Sequence, residues 1–210
     1  RREAFNQALA WGGAIGTNTE FTRQEIRSLP MTRCDDIFIM GPALQNAHED
    51  EDAPLEPGDL ATIPKGDYFY FPANLWPHKN HVNALKALER TLQRVSRPVE
   101  LVLSGHPEGW TKLQQQFPDL PVRHVGFVAP KVVRALFNHA KALVFFSLYE
   151  GFGMPLLEAF AAGTPVICSN TTALPEVGGD AVLSCAPDDV EAISELMVRV
   201  LQDTGLRQTL

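Results

Sequence analysis

The apolar run Ala142-Leu143-Val144-Phe145-Phe146 gives way to a glycine-bearing loop and a short helix, then to a second extended run at Pro165-Val166-Ile167. No other part of the chain restricts its fold so tightly. Apolar residues without polar alternation mark a strand covered on both faces, the situation of a parallel strand under helices. Pro155 suits the first position of the intervening helix, where its missing N–H costs nothing. Gly163 is placed to end that helix before the chain extends again. The segment is a βαβ unit, and its loop lies at the carboxyl end of a strand.

The rest of the chain repeats the alternation. Strands are expected over residues 68–71, 99–104, 122–125 and 142–146, separated by helices over 82–95, 110–117 and 132–140. In the first of these helices Leu85, Leu88, Leu92 and Val95 form one stripe at three- and four-residue spacing. Such alternation predicts an α/β fold with a Rossmann-like, doubly wound parallel sheet. Ahead of it, residues 1–10 read as a helix and 11–17 as a short strand. Residues 19–26 read as a helix with a capping box from Thr22 to Glu25, and 36–40 as a strand. Between the two regions, residues 47–66 hold Glu49, Asp50, Glu51, Asp52, Glu56 and Asp59 against Lys65 alone. With Pro54, Pro57, Gly58 and Pro64 this stretch reads as an exposed linker.

That linker accounts for most of the net charge of −7, so the acidity says little about partners. No basic stripe with interleaved aromatics is present, which argues against nucleic acid as a partner. An apolar content of 45% over 210 residues suits one or two ordinary globular domains. No run reaches the roughly 18 apolar residues of a membrane span, and no targeting segment is apparent. Cys34, Cys168 and Cys185 are odd in number and lack metal spacing, as expected for reduced thiols in a cytoplasmic setting. The six histidines form no zinc pattern.

Within the βαβ loop, Glu150 and Glu158 stand eight positions apart on either side of Gly151-Phe152-Gly153-Met154-Pro155-Leu156-Leu157. Gly151 and Gly153 allow backbone amides to approach an anion closely, and the helix that follows turns its free N–H groups and positive dipole end outward. Two glutamates beside a phosphate would repel it. A carboxylate can instead accept from two neighbouring hydroxyls at once. The ligand that fits has phosphate in the middle and diols on both sides, as a nucleotide sugar does.

The segment Glu150-Gly-Phe-Gly-Met-Pro-Leu-Leu-Glu158, with Ala159 and Ala162-Gly163-Thr-Pro-Val behind it, resembles the signature of the group 1 (family 4) glycosyltransferases. Tyr68-Phe-Tyr-Phe-Pro-Ala-Asn74-Leu-Trp-Pro-His-Lys79-Asn-His81 is similar to that family's first C-domain strand and loop. Leu101-Val-Leu-Ser-Gly105, Val125-Gly-Phe-Val128 and Thr172-Ala-Leu-Pro-Glu176-Val-Gly-Gly-Asp-Ala181 match later stretches in order. The resemblance covers residues 67–205 almost continuously and 1–46 faintly. It implies the C-terminal half of a GT-B fold and transfer of sugar from a nucleotide donor with retention, without a metal or other cofactor.

On that resemblance, residues 1–46 would be a remnant of an N-terminal acceptor domain, 47–66 a linker, and 67–210 a donor-binding domain truncated at its end. A 46-residue remnant buries too little surface to stand alone, so it is expected to pack on the second domain or to lack order. Glu150 would contact hydroxyls of the donor sugar and support its transition state, and Glu158 would bind the ribose. The amides of Gly153 through Leu157 would hold the diphosphate and part of the sugar, with Gly151 and Phe152 also among the substrate-binding residues. Lys79 would meet the diphosphate, and Val128 and Gly105 would line the nucleotide. Asn74 stands where the family most often has arginine; it can donate hydrogen bonds but brings no charge. The partners implied are a nucleoside-diphosphate sugar, UDP- or GDP-linked, and a glycan or lipid-linked acceptor bound through the N-terminal domain. Peripheral membrane association of a full-length enzyme is compatible with these partners.

Each candidate has a plainer alternative. Lys79 could be a solvated loop lysine. With His78 and His81 it stands where a helix begins, an unfavourable place for cations unless an anion shares it. Glu150 could cap a helix, and Glu158 could be a first-turn glutamate favoured by the dipole. Gly105 could be a turn glycine and Val128 a packing residue. Trp76 and Trp110 read as packing residues. Two rivals remain beside glycosyl transfer: a nucleotide-sugar-binding module without turnover, and another GT-B enzyme such as a nucleotide-sugar epimerase or a phosphorylase.

Overall fold

The computed structural model describes residues 6–7, 9–10, 13–33, 36–42 and 53–210. Cys34, most of the helix expected over residues 1–10, and the acidic run 49–52 lie outside the described residues. β1 (Ile15–Thr17) and β2 (Ile37–Ile39) form a small parallel sheet, connected through α1 (Glu20–Ser28). α2 (Pro57–Thr62) precedes the main sheet. That sheet is built by β3 (Asp67–Pro72), α3 (His81–Arg94), β4 (Val99–Ser104), α4 (Trp110–Gln116), β5 (Val122–His124), α5 (Pro130–His139), β6 (Ala142–Phe145), α6 (Met154–Ala161), β7 (Val166–Ser169), α7 (Leu174–Gly178) and β8 (Val182–Cys185). α8 (Val190–Gln202) and α9 (Thr204–Thr209) follow. The six strands are parallel and stand in the order β5-β4-β3-β6-β7-β8.

The central strands are apolar on both faces because helices cover both. Tyr68, Phe69, Tyr70 and Phe71 of β3 are all completely buried, as are Ala142 to Phe145 of β6. Two of these residues carry a phenol into the core, which is tolerated only when the hydroxyl finds a partner. Tyr68 donates to the Leu136 carbonyl at 2.8 Å, and the Tyr70 hydroxyl lies 2.7 Å from Ser104 Oγ. Burial raises both phenols far above the ordinary tyrosine range. On the outer layer, the apolar stripe of α3 meets α8 around the buried Thr91 and Ser194, whose hydroxyls lie 3.2 Å apart.

Four local expectations shift. α6 begins at Met154 with Gly153 as its cap, so Pro155 takes the second helical position. The proline still sits in the first turn, where no intrahelical partner awaits its nitrogen. The cap of α1 is Thr19, whose hydroxyl accepts from the Thr22 amide at 3.1 Å. Thr22 itself lies inside the helix. Part of the stretch read as an exposed linker is ordered: Glu56 and Asp59 form a capping box for α2. Asp59 pairs with Lys131 at 2.7 Å, and Leu55 and Ile63 pack on the core. Trp110 packs on the core as expected, whereas Trp76 is 56% exposed and is a surface residue. No helix among the described residues is long and apolar enough to cross a membrane.

Candidate active site

The sheet reverses its build direction between β3 and β6: β4 and β5 extend from one side of β3, and β6, β7 and β8 from the other. Loops leaving the carboxyl ends of two such strands diverge, and open α/β sheets bind ligands there. The two strongest sequence candidates occupy these two loops. Lys79 ends a 3-10 turn (Pro77–Lys79) after β3, and Glu150 follows β6. Lys79 Nζ lies 2.6 Å from Glu150 Oε1, with only 15% and 13% of the two side chains exposed. The ammonium also stands 5.0 Å from the centroid of the Phe145 ring, a cation–π distance that steadies it from below.

Buried groups fix both loops. Asn80 is left-handed (φ 62°) and 9% exposed. Its Nδ2 donates to the Phe146 carbonyl at 3.0 Å and to the Pro187 carbonyl at 2.7 Å, tying the lysine loop to the end of β6. The Leu148 amide donates to the His78 carbonyl at 2.7 Å, a second tie between the loops. On the other side, the Glu150 amide donates to Thr172 Oγ at 3.1 Å. Thr172 holds a positive φ of 58°, strain of the kind that collects at functional sites. Neither Asn80 nor Thr172 stands out in the sequence. An Asn ahead of a helix and a Thr in a Thr-Thr-Ala run are commonplace, and only the left-handed backbone marks them.

Gly153 is the pivot of the loop. Its φ is 110°, and a Cβ there would lie 2.5 Å from Leu174 Cδ2. Glycine is required on both counts. The turn it makes starts α6, where Pro155 carries no N–H and the Leu156 amide donates to the Gly153 carbonyl at 3.0 Å, so the amides of Met154 and Leu157 are the first-turn donors left to an anion. Glu158 lies one turn beyond Met154 on the same helix and is partly buried. Gly151, Phe152, Met154, Pro155 and Leu157 are likewise partly exposed, while Leu156 is fully buried and anchors the helix to the core.

The remaining candidates sit on neighbouring strand ends. Asn74 Oδ1 accepts from the His106 amide at 2.7 Å, joining the loop after β3 to the loop after β4. Gly105 (φ 127°) packs so closely on this joint that a Cβ would lie 2.8 Å from Asn74 Oδ1. The Gly105 amide donates to the Gly126 carbonyl at 2.9 Å, and beyond it Val128 packs its side chain on the core. Next to Val128, Phe127 is 91% exposed. His81, which the sequence groups with the cations of this loop, is not one of them. It is 5% exposed, stacks on Phe71 at 4.3 Å, and burial pulls its pKa down to about 4. Among the described residues no group of three or more His, Cys, Asp or Glu could hold a metal ion.

The chain is similar to known proteins in sequence and in fold. The family described as glycosyl transferases group 1 matches residues 55–210. An O-antigen chain mannosyltransferase B of Escherichia coli is 36% identical over 98% of this chain, which covers 56% of that protein. A glycogen synthase of Mycobacterium tuberculosis is 41% identical over 41% of the chain and 21% of its own length. The chain thus spans about half the length, or less, of these curated relatives. Among solved structures, a glycosyltransferase from Rickettsia africae superposes with a TM-score of 0.78 at 16% identity, over 99% of this chain and 59% of the other. WaaG, a glycosyltransferase involved in lipopolysaccharide biosynthesis, gives 0.69 at 16% identity, over 92% and 55%. These structural likenesses confirm the GT-B type of α/β fold. With the family matching from residue 55 to the end of the chain, and with a relative this similar along nearly all of it, the chain belongs to the group 1 glycosyl transferases.

Proposed function

We propose that the chain is the donor-binding portion of a retaining glycosyltransferase that moves a hexose from a nucleoside-diphosphate sugar to a glycan or lipid-linked acceptor. Mannose is the hexose to which the names of the E. coli relatives point. One observation carries the proposal. Lys79 and Glu150 leave two strands at the reversal of the sheet and meet at 2.6 Å, beside the start of α6.

The chemistry follows from that placement. As the sugar departs, negative charge grows on the diphosphate, and preorganised donors in a poorly solvated site stabilise it strongly. Amides at the start of α6 and the Lys79 ammonium are those donors. An ammonium has three N–H groups, and Glu150 takes one of them. The second Glu150 oxygen suits a pair of sugar hydroxyls, and Glu158 suits the ribose diol. Neutralisation is assigned to the lysine and the amides, so the proposal calls for no metal. Glu150 serves as an orienting and electrostatic group rather than a covalent nucleophile. Acceptor binding and transfer are proposed for the whole protein, and donor binding for this chain.

Calorimetry of the chain with UDP-glucose, GDP-mannose, UDP and GDP, with product detection alongside, tests the proposal. Binding of one nucleotide sugar together with its diphosphate is the expected result. Failure to bind any of the four would overturn it. Binding with conversion of the sugar but no transfer would favour an epimerase instead.

A further inference from the structure

The contact between α1 and the donor loop reaches across more than half the chain, and it is built from complementary groups. Thr19 Oγ and Thr22 Oγ both lie 3.0 Å from the Gly151 carbonyl oxygen, and 2.9 Å from each other. The Glu176 carboxylate of α7 accepts from the Glu20 amide at 2.7 Å and the Phe21 amide at 3.0 Å. The Phe21 ring meets Tyr149 edge-on at 5.8 Å.

The first amides of a helix have no partner within it. In α1 those of its first three residues are accounted for. Glu20 and Phe21 donate to Glu176, Thr22 donates to Thr19 Oγ, and Arg23 donates to the Thr19 carbonyl at 3.0 Å. Glu176 therefore supplies from 156 residues away what a local capping residue normally supplies. A carboxylate at this end is also favoured by the helix dipole. The Glu20 carboxylate on the same turn is paired with Arg23 at 2.5 Å, which holds its carboxyl below the usual range.

We infer that Thr19, Thr22 and Glu176 are positioning residues for Glu150. Gly151 and Gly153 make the donor loop costly to order, because glycine loses the most conformational freedom. Thr172 Oγ and the Ala173 amide grip the amide and carbonyl of Glu150 from one side, at 3.1 and 3.4 Å. The two threonine hydroxyls grip the next carbonyl from the other. Glu176 fixes the helix that carries them. The plane of the Gly151–Phe152 peptide is thus set by α1, and with it the direction of the Glu150 side chain. The phosphate-facing part of the loop, from Gly153 onward, packs instead on Leu174 and on the buried Leu156, without a contact to α1 among the described hydrogen bonds.

The inference rests on the donor reading of Glu150, and separating sugar from diphosphate tests it apart from that reading. Affinities of GDP-mannose against GDP, and UDP-glucose against UDP, are measured by calorimetry for the parent chain and for Thr22→Val, Thr22→Ser and Glu176→Gln. In Thr22→Val and Glu176→Gln the preferred nucleotide sugar should bind about tenfold more weakly, the worth of one or two hydrogen bonds. The diphosphate alone should bind as in the parent, which also shows that these variants fold. Thr22→Ser restores the hydroxyl and should restore the sugar's affinity. An unchanged ratio of sugar to diphosphate affinity in both weakened variants would overturn the inference. So would an equal loss for both ligands. A parent that binds none of the four overturns the donor reading itself, and the inference with it.

Discussion

Lys79 and Glu150 lie 71 residues apart in the chain and 2.6 Å apart in the fold. Each is the counter-charge of the other, so the two charges are balanced within the chain. The unfavourable grouping of cations at the start of α3 is resolved from within the chain, by this carboxylate and by the neutrality of His81. A nucleotide sugar of the kind proposed would compete with Glu150 for the lysine's N–H groups.

Replacing either partner leaves the other as a mostly buried, unpaired charge. Lys79→Ala should cost about 2 kcal/mol of stability, between the values for surface and fully buried pairs. It should also weaken nucleoside diphosphate binding by at least tenfold. The double variant Lys79→Met/Glu150→Gln should recover most of the stability and none of the binding. Denaturant melts and calorimetry on the three proteins check both halves. A Lys79→Ala chain that binds diphosphate like the parent would remove the lysine from the site.

Gly153 and Gly163 both have positive φ, at 110° and 65°, but only Gly153 is crowded. Gly163→Ala pays the backbone strain alone, about 1 kcal/mol, and should leave binding unchanged. Gly153→Ala pays strain and a 2.5 Å clash with Leu174 together, and should cost several-fold more. Because the clash moves the start of α6, diphosphate affinity should fall as well. Melting curves and titrations of the two variants side by side separate a helix-ending glycine from a site glycine.

Most of this fold is visible in the order of residues, because parallel strands and amphipathic helices write their burial directly into apolar runs. Val99–Ser104 has the bounds expected of it, and the other strands and helices expected between residues 68 and 167 differ by a few residues at most, whereas β8, α7, α8 and α9 are not among the elements expected from the sequence. Glu150, Glu158 and the glycines are legible for a related reason: a loop that must bend beside a helix start restricts residue types locally. Asn80, Thr172, Thr19 and Glu176 are not legible. Their partners lie from 22 to 156 residues away, and nothing local requires them. The choice between Thr19 and Thr22 as cap shows the limit. Thr22 fits the local pattern with Glu25, while Thr19 becomes the cap because the Glu176 carboxylate receives the Glu20 and Phe21 amides that follow it.

The buried His81 makes stability pH-dependent in a defined window. Its pKa is about 4 in the fold, chiefly through burial, against about 6.5 in an unfolded chain. As pH falls, the unfolded state takes up the proton first, so stability is complete above about 6.5 and drains away down to about 4. The linked loss is of the order of 3 kcal/mol. His124, also lowered by burial, acts in the same direction. Denaturant melts between pH 7 and 4 should show this slope, and His81→Gln should flatten it whatever its effect at neutral pH. An equal slope in the variant would assign the dependence to other groups.

Asn80 offers a test in which shape is kept and only hydrogen-bond polarity changes. Its Nδ2 faces two carbonyl oxygens, those of Phe146 and Pro187, and is 9% exposed. Asn80→Asp preserves volume and tolerates the left-handed backbone, but sets a carboxylate against both acceptors. Two lost bonds and a buried repulsion should cost about 3 kcal/mol or more. Asn80→Gly keeps the backbone conformation, loses the same two bonds without adding repulsion, and should cost less. The tie runs from the residue after Lys79 to the end of β6, four positions before Glu150. Both variants should therefore weaken diphosphate binding in the same order as they lose stability. If Asn80→Asp proved as stable as the parent, the amide would not be what holds the lysine loop to β6.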